Sequence, residues 1–451
     1  MQHLSFRLGR RRYLLCRPEV NPDGKPTGYG NLVRHVEQAM RTAAALEATL
    51  FLVRPAHPVN PALYELDSPD LRIVGQGDRR APVFRAIWRV AAPLRYGAPA
   101  HWLVGSMAAS MRPIVARGKQ MARRRGWRGL DRALDRVGHA VRDVSHRYEK
   151  LVTAQWHAVF AEARDRARAT DSKRRPVRLR LCGRAQSLVD ELILVAGIEP
   201  GRPLATLHVR EAGFRQRGAT RQRDIDRIRE ARIEAYAAAI DGLVGHGYQV
   251  VRIGDPSMTP CQRPGVIDLA TAPWRTGAFE LWAVFNSRFF IASDSGPYFL
   301  AQLANVPALA INVIQVGYYT LRPHDRYVCK RVYDRIERRH LSISEMLTEQ
   351  FIRNPLDFER YEWLDNTAED IRDAVEDFLF SLERPAGART PAQERHDRLL
   401  ADVAAQWRPE WRSRRSLLIR RGGPGTISPR FAARYLDIEA TTRLEPTSGM
   451  R

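Results

Sequence analysis

Between Leu204 and Asn312 short apolar runs alternate with amphipathic ones, and this alternation constrains the fold more than any other feature of the 451 residues. Leu204–Val209, Tyr248–Ile253, Val266–Leu269, Phe289–Ala292 and Ala308–Asn312 read as buried strands. Ile228–Leu243, Phe279–Asn286 and Pro297–Asn305 read as helices, the first ended by Gly245 and Gly247. Strands apolar on both faces and separated by helices predict a parallel sheet covered on both sides, the doubly wound arrangement. A further amphipathic helix is expected over Thr367–Phe380, where Thr367 and Asp370 have capping-box spacing. The amino terminus opens with the same grammar: a strand at Arg12–Cys16, the turn-rich loop NPDGKPTGYGN, a helix over Leu32–Leu46 and a strand at Thr49–Val53. Since one core seldom grows past about 250–300 residues, two α/β domains are expected.

Between them the character changes. From Arg79 to Leu130 there are twelve Arg or Lys and no acid, with Trp88, Trp102 and Trp127 interleaved and Pro93, Pro99 and Pro113 breaking any long helix. The expected organisation is a first α/β domain over 1–78, a basic helical insertion and linker over 79–178, a second α/β domain over 179–380, and a basic tail over 381–451 with a helix near Arg430–Leu436. The net charge of +23 points to polyanionic partners: phosphorylated substrates, an anionic membrane face or nucleic acid. Tryptophan mixed with arginine, proline and apolar runs suits a membrane interface better than a base-stacking platform, so nucleic acid is the less expected of these.

Several classes lack their signatures. The start has no apolar core of a secretory signal, and no stretch reaches the roughly 18 apolar residues of a spanning helix, which favours a cytoplasmic location, peripheral at most. Cys16, Cys182, Cys261 and Cys329 are scattered and form no CxxC pair. Walker A, GxGxxG, GxSxG and HExxH are absent. Asp224 and Asp226 form a DxD, but within RQRDIDRIRE it reads as a salt-bridged helix start, so no metal or other cofactor is expected.

Ligands of open α/β sheets bind at the carboxyl ends of the strands, and three polar clusters fall there. In LHVRE, His208 and Arg210 share a strand face and Glu211 begins the loop; Arg210 suits a pyrophosphate, though a solvated or ion-paired arginine fits the pattern too. In RIGDPSM, Gly254 permits close approach, and Asp255 and Ser257 offer acceptors to a base or ribose, or simply to a turn. In FFIASDSGPYF, a buried strand runs into Asp294, Ser295 and Gly296, and Pro297 opens a helix whose first N–H groups could receive a diphosphate or merely be capped.

From Leu204 to Phe380, less than half the chain, TLHVREAGF, GYQVVRIGDPSM and the SDSG run resemble glycosyltransferases of bacterial surface-polysaccharide and lipopolysaccharide biosynthesis. DSGP opening a helix before V-P is similar to the heptosyltransferase signature, with Tyr298 and Phe299 where those enzymes carry a hydrophobic residue and His. His208 and Arg210 are similar to the HxRxxD of inverting fucosyltransferases, with Gly213 in place of the Asp. The resemblance implies a GT-B-like architecture of two facing Rossmann-like domains and metal-independent transfer from a nucleotide-sugar donor to a glycan or lipid-linked acceptor. Donor contacts are then expected at Arg210, Gly254, Asp255, Ser257, Asp294, Ser295 and Gly296, with Glu211 or His208 as the base. The loop around Gly28, Tyr29 and His35 is expected on the acceptor side. The competing reading is a non-catalytic basic protein that binds an anionic membrane surface or nucleic acid.

Overall fold

The computed structural model describes residues 2–8, 11–17, 29–45, 47–55, 57–75, 78–79, isolated positions between 117 and 133, 179–211, 224–317, 322–385, 388–405 and 424–437. The chain divides into two compact units, Met1–Val177 and Arg178–Arg451. Gly28, Gly213, Trp88, Trp102, the linker at 171–178 and nearly all of the basic insertion lie outside the described residues; Trp127, within it, is exposed.

The first unit holds strands β1 (Gln2–Leu8), β2 (Arg11–Arg17), β3 (Ala48–Val53) and β4 (Leu71–Val74) in that order. β1 and β2 form an antiparallel hairpin, and β2, β3 and β4 run parallel. Helix α1 (Tyr29–Ala45) crosses from β2 to β3 and buries Leu32, Val33, Val36, Ala39 and Ala43. Those positions recur every three or four residues, the stripe a helix lays on a sheet. His35 lies on this helix and is only 5% exposed.

The second unit is built on a seven-stranded sheet. After helix α2 (Gly183–Val195) come β5 (Leu204–His208), helix α3 (Ala237–Gly245), β6 (Gln249–Arg252), β7 (Val266–Asp268), helix α4 (Gly277–Asn286), β8 (Ser287–Ser293), helix α5 (Tyr298–Ala304), β9 (Ala308–Val313) and β10 (Arg326–Cys329). An antiparallel three-stranded excursion follows, β11 (Arg331–Asp334), β12 (Arg339–His340) and β13 (Tyr361–Leu364), then α6 (Ala368–Leu382), α7 (Pro391–Ala405), the short strand β14 (Thr426–Ile427) and α8 (Pro429–Tyr435). The sheet order is β14-β10-β9-β8-β5-β6-β7, with every neighbouring pair parallel. Counted from β5, that is the Rossmann order 3-2-1-4-5-6 with one strand added at the far edge.

One expectation is corrected here. The helix read from Ile228 starts only at Ala237, after a 3₁₀ turn over Ile233–Tyr236. Residues 229–232 are held out of it because Ala231 N–H donates to the Arg210 carbonyl at 2.8 Å and Lys330 Nζ donates to the Glu230 carbonyl at 2.7 Å. The helix expected near Arg430–Leu436 is α8; beside it β14 pairs with β10, and the cations of α8 meet the acids of α6. Arg430 contacts Asp373, Glu376 and Asp377, while Arg434 contacts Glu369, Asp370 and Asp373. The basic composition of α8 is the complement of an acidic helix face.

All four cysteines are free, and no helix among the described residues is long and apolar enough to cross a membrane.

Candidate functional site

The winding of the second sheet reverses between β5 and β8. From β5 the chain steps outward to β6 and β7, returns to β8 on the other flank, and continues outward through β9 and β10. The crevice beyond the carboxyl ends at such a reversal is where open α/β sheets bind ligands. β5 leads into Arg210 and β8 into Asp294, and the Arg210 N–H donates to Ser293 Oγ at 2.7 Å, fastening the two strand ends together. The structure thus places Arg210, Asp294 and Ser295 at one point, with Gly254 and Asp255 one strand away.

Each cation at the reversal has a carboxylate partner. Arg210 Nη2 lies 3.2 Å from Asp226 Oδ1, and Arg229 Nη2 lies 3.1 Å from Asp294 Oδ1. Both carboxylates are 4% exposed, whereas the two arginine side chains keep 15% and 26% of their surface open. Asp294 Oδ2 also accepts the Ile314 N–H at 3.4 Å, so this acid spans from β8 to the end of β9. Asp226 is the second acid of the DxD, and the partner seen here, Arg210, comes from the end of β5, outside the RQRDIDRIRE segment; the Asp224 side chain lies outside the described residues. Among the described residues no group of three or more His, Cys, Asp or Glu is arranged to hold a metal ion.

On the other flank several of the expected site residues are held in internal contacts. Arg252, with no exposed surface, donates to Glu211 Oε2 at 3.1 Å, to both Asp268 oxygens at 3.1–3.2 Å and to the Thr259 carbonyl at 2.7 Å. Glu211 Oε2 also accepts the Thr259 N–H at 2.7 Å, so the expected base is committed to joining strand ends. His208 is buried, with Nδ1 3.1 Å from the Ile253 carbonyl, and desolvation together with Arg210 and Arg252 lowers its pKa to about 4.

Gly254 was expected to let a ligand approach the backbone, but its own neighbours occupy that space. Its φ is +153°, and a Cβ there would meet the Met258 sulfur at 2.4 Å and His208 Nδ1 at 3.3 Å. Its N–H is taken by Glu280, whose carboxyl burial pushes upward. Asp255 Oδ1 accepts the Ser257 N–H at 3.0 Å and the Ser257 hydroxyl at 2.5 Å, a self-contained turn.

The helix start after Gly296 is closed as well. The N–H groups of Tyr298, Phe299 and Leu300 bond to the carbonyls of Ser295, Gly296 and Pro297, so the open donors expected there are largely internal. Ser295 Oγ, by contrast, is buried without a hydrogen-bond partner.

Four residues of this edge escaped sequence reasoning: Arg229, Glu230, Arg252 and Lys330. Lys330 follows β10, is 3% exposed, and bridges the Glu230 carbonyl and the Asp365 carboxylate. Asp365 is placed by its neighbour: Asn366 N–H donates to Asn312 Oδ1 at 2.6 Å, and Asn312 N–H donates to Asn366 Oδ1 at 2.9 Å. Asn312 adopts φ +55° to do so. Glu230 sits among Arg210, Arg227 and Lys330, yet burial outweighs them and holds its carboxyl above the usual range. Only Arg252 was signalled locally, as a charge inside an apolar strand; the others are joined to the site by folding alone. Glu230, Lys330 and Asp365 border a cavity of about 920 Å³ that also reaches Thr259 and the excursion strand β13.

No protein-family model matches the chain, and no curated protein matches it. Among solved structures it is similar to a glycosyl transferase family 9 protein from Veillonella parvula, at 14% identity over 64% of this chain and 78% of that one. The TM-score is 0.29, too low for the likeness to bear on the site.

Proposed function

We propose that the chain is a glycosyltransferase that takes a sugar from a nucleotide-sugar donor, with the diphosphate lying across the ends of β5 and β8. The observation that carries this is the pair of partly open guanidinium groups, Arg210 and Arg229, fixed where the sheet's winding reverses. A diphosphate offers each a charge-assisted, bidentate partner through the side that its carboxylate contact leaves open. As the bond to the anomeric carbon breaks, the leaving diphosphate gains charge, and cations already in position stabilise it without reorganising. Transfer without a metal is part of the proposal, because the DxD acid Asp226 is engaged by Arg210. Glu211 and His208 are both held in internal bonds, so the proton of the acceptor hydroxyl is assigned to neither.

The finer proposal is a GT-B-like enzyme whose first unit receives a glycan or lipid-linked acceptor. The basic, tryptophan-bearing window at 79–130 would attach it to an anionic membrane face, each Lys or Arg near such a surface contributing about 1 kcal/mol. Flotation on anionic liposomes of the full chain against one lacking 79–130 tests the attachment; equal partition sinks it. For the donor, melting temperatures are measured with UDP, GDP, ADP, CDP and dTDP, with and without EDTA. At least one nucleotide is expected to raise the melting point in both conditions. No rise with any of them overturns the donor site, and a rise abolished by EDTA overturns metal independence.

A further inference from the structure

The charges around the 920 Å³ cavity close on themselves, and its largest apolar feature is aromatic. Five carboxylates line it: Glu211, Glu230, Glu234, Glu362 and Asp365. Four cations line it as well, and Arg252 behind the wall, bound to Glu211, makes the fifth. Lys330 holds Asp365, Arg335 reaches Glu362 at 3.2 Å, and Arg232 reaches Glu234 at 3.4 Å. A wall so balanced has no excess positive charge to attract a phosphate, yet it is dense in planar carboxylate and guanidinium groups.

Phe358, Tyr361 and Trp363 also line the cavity, from β13 and the turn that leads into it. Tyr361 and Trp363 are two apart on one strand and so share a face. Phe351 packs behind them, 5.1 Å from the Tyr361 ring and 5.9 Å from the Trp363 ring. Trp363 Nε1 donates to the Pro355 carbonyl at 3.1 Å, which fixes the indole. The aromatic wall is therefore set before any ligand arrives, and binding it needs little reordering.

An uncharged ring with C–H groups on its faces and hydroxyls at its edge suits a lining that combines aromatic rings with paired charges. Its faces lie against the aromatic rings, and each hydroxyl donates to a carboxylate or accepts from a guanidinium or ammonium group. We propose that this cavity is a saccharide-binding site, separate from the diphosphate position at Arg210 and Arg229. It rests on the glycosyltransferase reading only for its identification as the sugar side of that reaction.

The test is saturation-transfer NMR on the full chain with D-glucose, D-galactose, D-mannose and L-rhamnose as probes, beside melting curves with the five nucleoside diphosphates. Transfer to the ring C–H protons of at least one sugar is expected, cut several-fold in Trp363→Leu and in Phe358→Ala and kept in Trp363→Phe. The Trp363→Phe variant preserves the packing on Phe351, so a loss confined to Trp363→Leu with unchanged circular dichroism is not a folding effect. The nucleotide-induced melting shift is expected to be the same in all three variants. No transfer to any of the four sugars, or equal transfer in Trp363→Leu and the parent, overturns the proposal while leaving the donor reading intact. A nucleotide shift lost in Trp363→Leu also overturns it and makes the cavity the nucleobase site. Sugar transfer without any nucleotide shift upholds the saccharide site and removes the donor reading instead.

Discussion

On the β6–β7 flank of β5, Arg252 has no exposed surface and binds two carboxylates and a carbonyl. On the β8–β9 flank, Arg210 and Arg229 hold the carboxylates of Asp226 and Asp294 and remain 15% and 26% exposed. The chemistry is the same and the outcome opposite. A guanidinium with no water contact cannot exchange partners without opening the sheet edge, so the first cluster is a clamp. A guanidinium with an open side can turn from a carboxylate to a phosphate, so the second is a binding site held in readiness. Burial, not residue type, separates the two.

That contrast is tested most severely at Arg252. Arg252→Met leaves Glu211 and Asp268 buried without their counter-charge, and breaking a buried pair from one side costs about 3–5 kcal/mol. Adding Glu211→Gln and Asp268→Asn is expected to recover much of that loss, because removing every member of a buried ionic cluster is often close to neutral. Urea unfolding of the single and triple variants measures both. A loss under about 1 kcal/mol in the single variant, of the size seen for exposed pairs, means that the clamp is no clamp.

His208, between the two flanks, gives a pH test of the same closure. Its folded pKa of about 4 lies below the ordinary 6.5, so the unfolded chain binds a proton that the folded one refuses. Stability is therefore fully present above pH 6.5 and is lost as pH falls from 6.5 towards 4. The depression corresponds to roughly 3 kcal/mol at most. Unfolding free energies across that range should slope downward with acid in the parent and flatten in His208→Asn; parallel slopes place His208 in contact with water.

Arg210→Ala is expected to act mainly on ligand. Under a hundredfold excess over Kd a nucleoside diphosphate adds about 2.7 kcal/mol, and the variant should lose that increment. Its own stability should fall by a smaller amount, since Asp226 keeps further interactions while losing this one. A full nucleotide shift in Arg210→Ala moves the diphosphate away from β5.

The layers of the sheet were legible because each strand is a continuous apolar run: β5, β6, β8 and β9 lie within about two residues of their expected bounds. Thr367 and Asp370 form the capping box that their spacing announced. β10 and β14 were not legible, being short and defined by neighbours far away in sequence rather than by their own pattern. The antiparallel excursion β11–β13 was hidden for the same reason. At the site, Arg210 and Asp294 were visible as polar residues closing apolar strands. Glu230 and Lys330 were not, because they lie 100 residues apart and are brought together by the fold, the Lys330 ammonium donating to the Glu230 carbonyl. Spacing alone cannot tell whether a strand-end acid will face a ligand or an arginine, and Glu211 faces Arg252.

Asp255 and Ser257 give the smallest effect and the finest discrimination. Both stand at the end of β6, one strand from the proposed diphosphate, where a ribose contact was the natural expectation. In the structure the Asp255 carboxylate closes back on the Ser257 N–H and hydroxyl, and Arg252 on the same strand faces away into the clamp. If the turn is its whole task, Asp255→Ala removes two local hydrogen bonds whose net worth is about 1 kcal/mol, lowered further by partial exposure. Asp255→Asn should lose less, because its amide oxygen can still accept the Ser257 N–H. Neither should change the nucleotide-induced melting shift or its dependence on concentration. Titrating the best nucleotide of the panel against parent, Asp255→Ala and Arg210→Ala therefore ranks the two flanks directly. Affinity retained in the first variant and lost in the second confines the donor to the β8 side; affinity lost in both extends the site across β6, and the boundary drawn between clamp and binding surface moves by one strand.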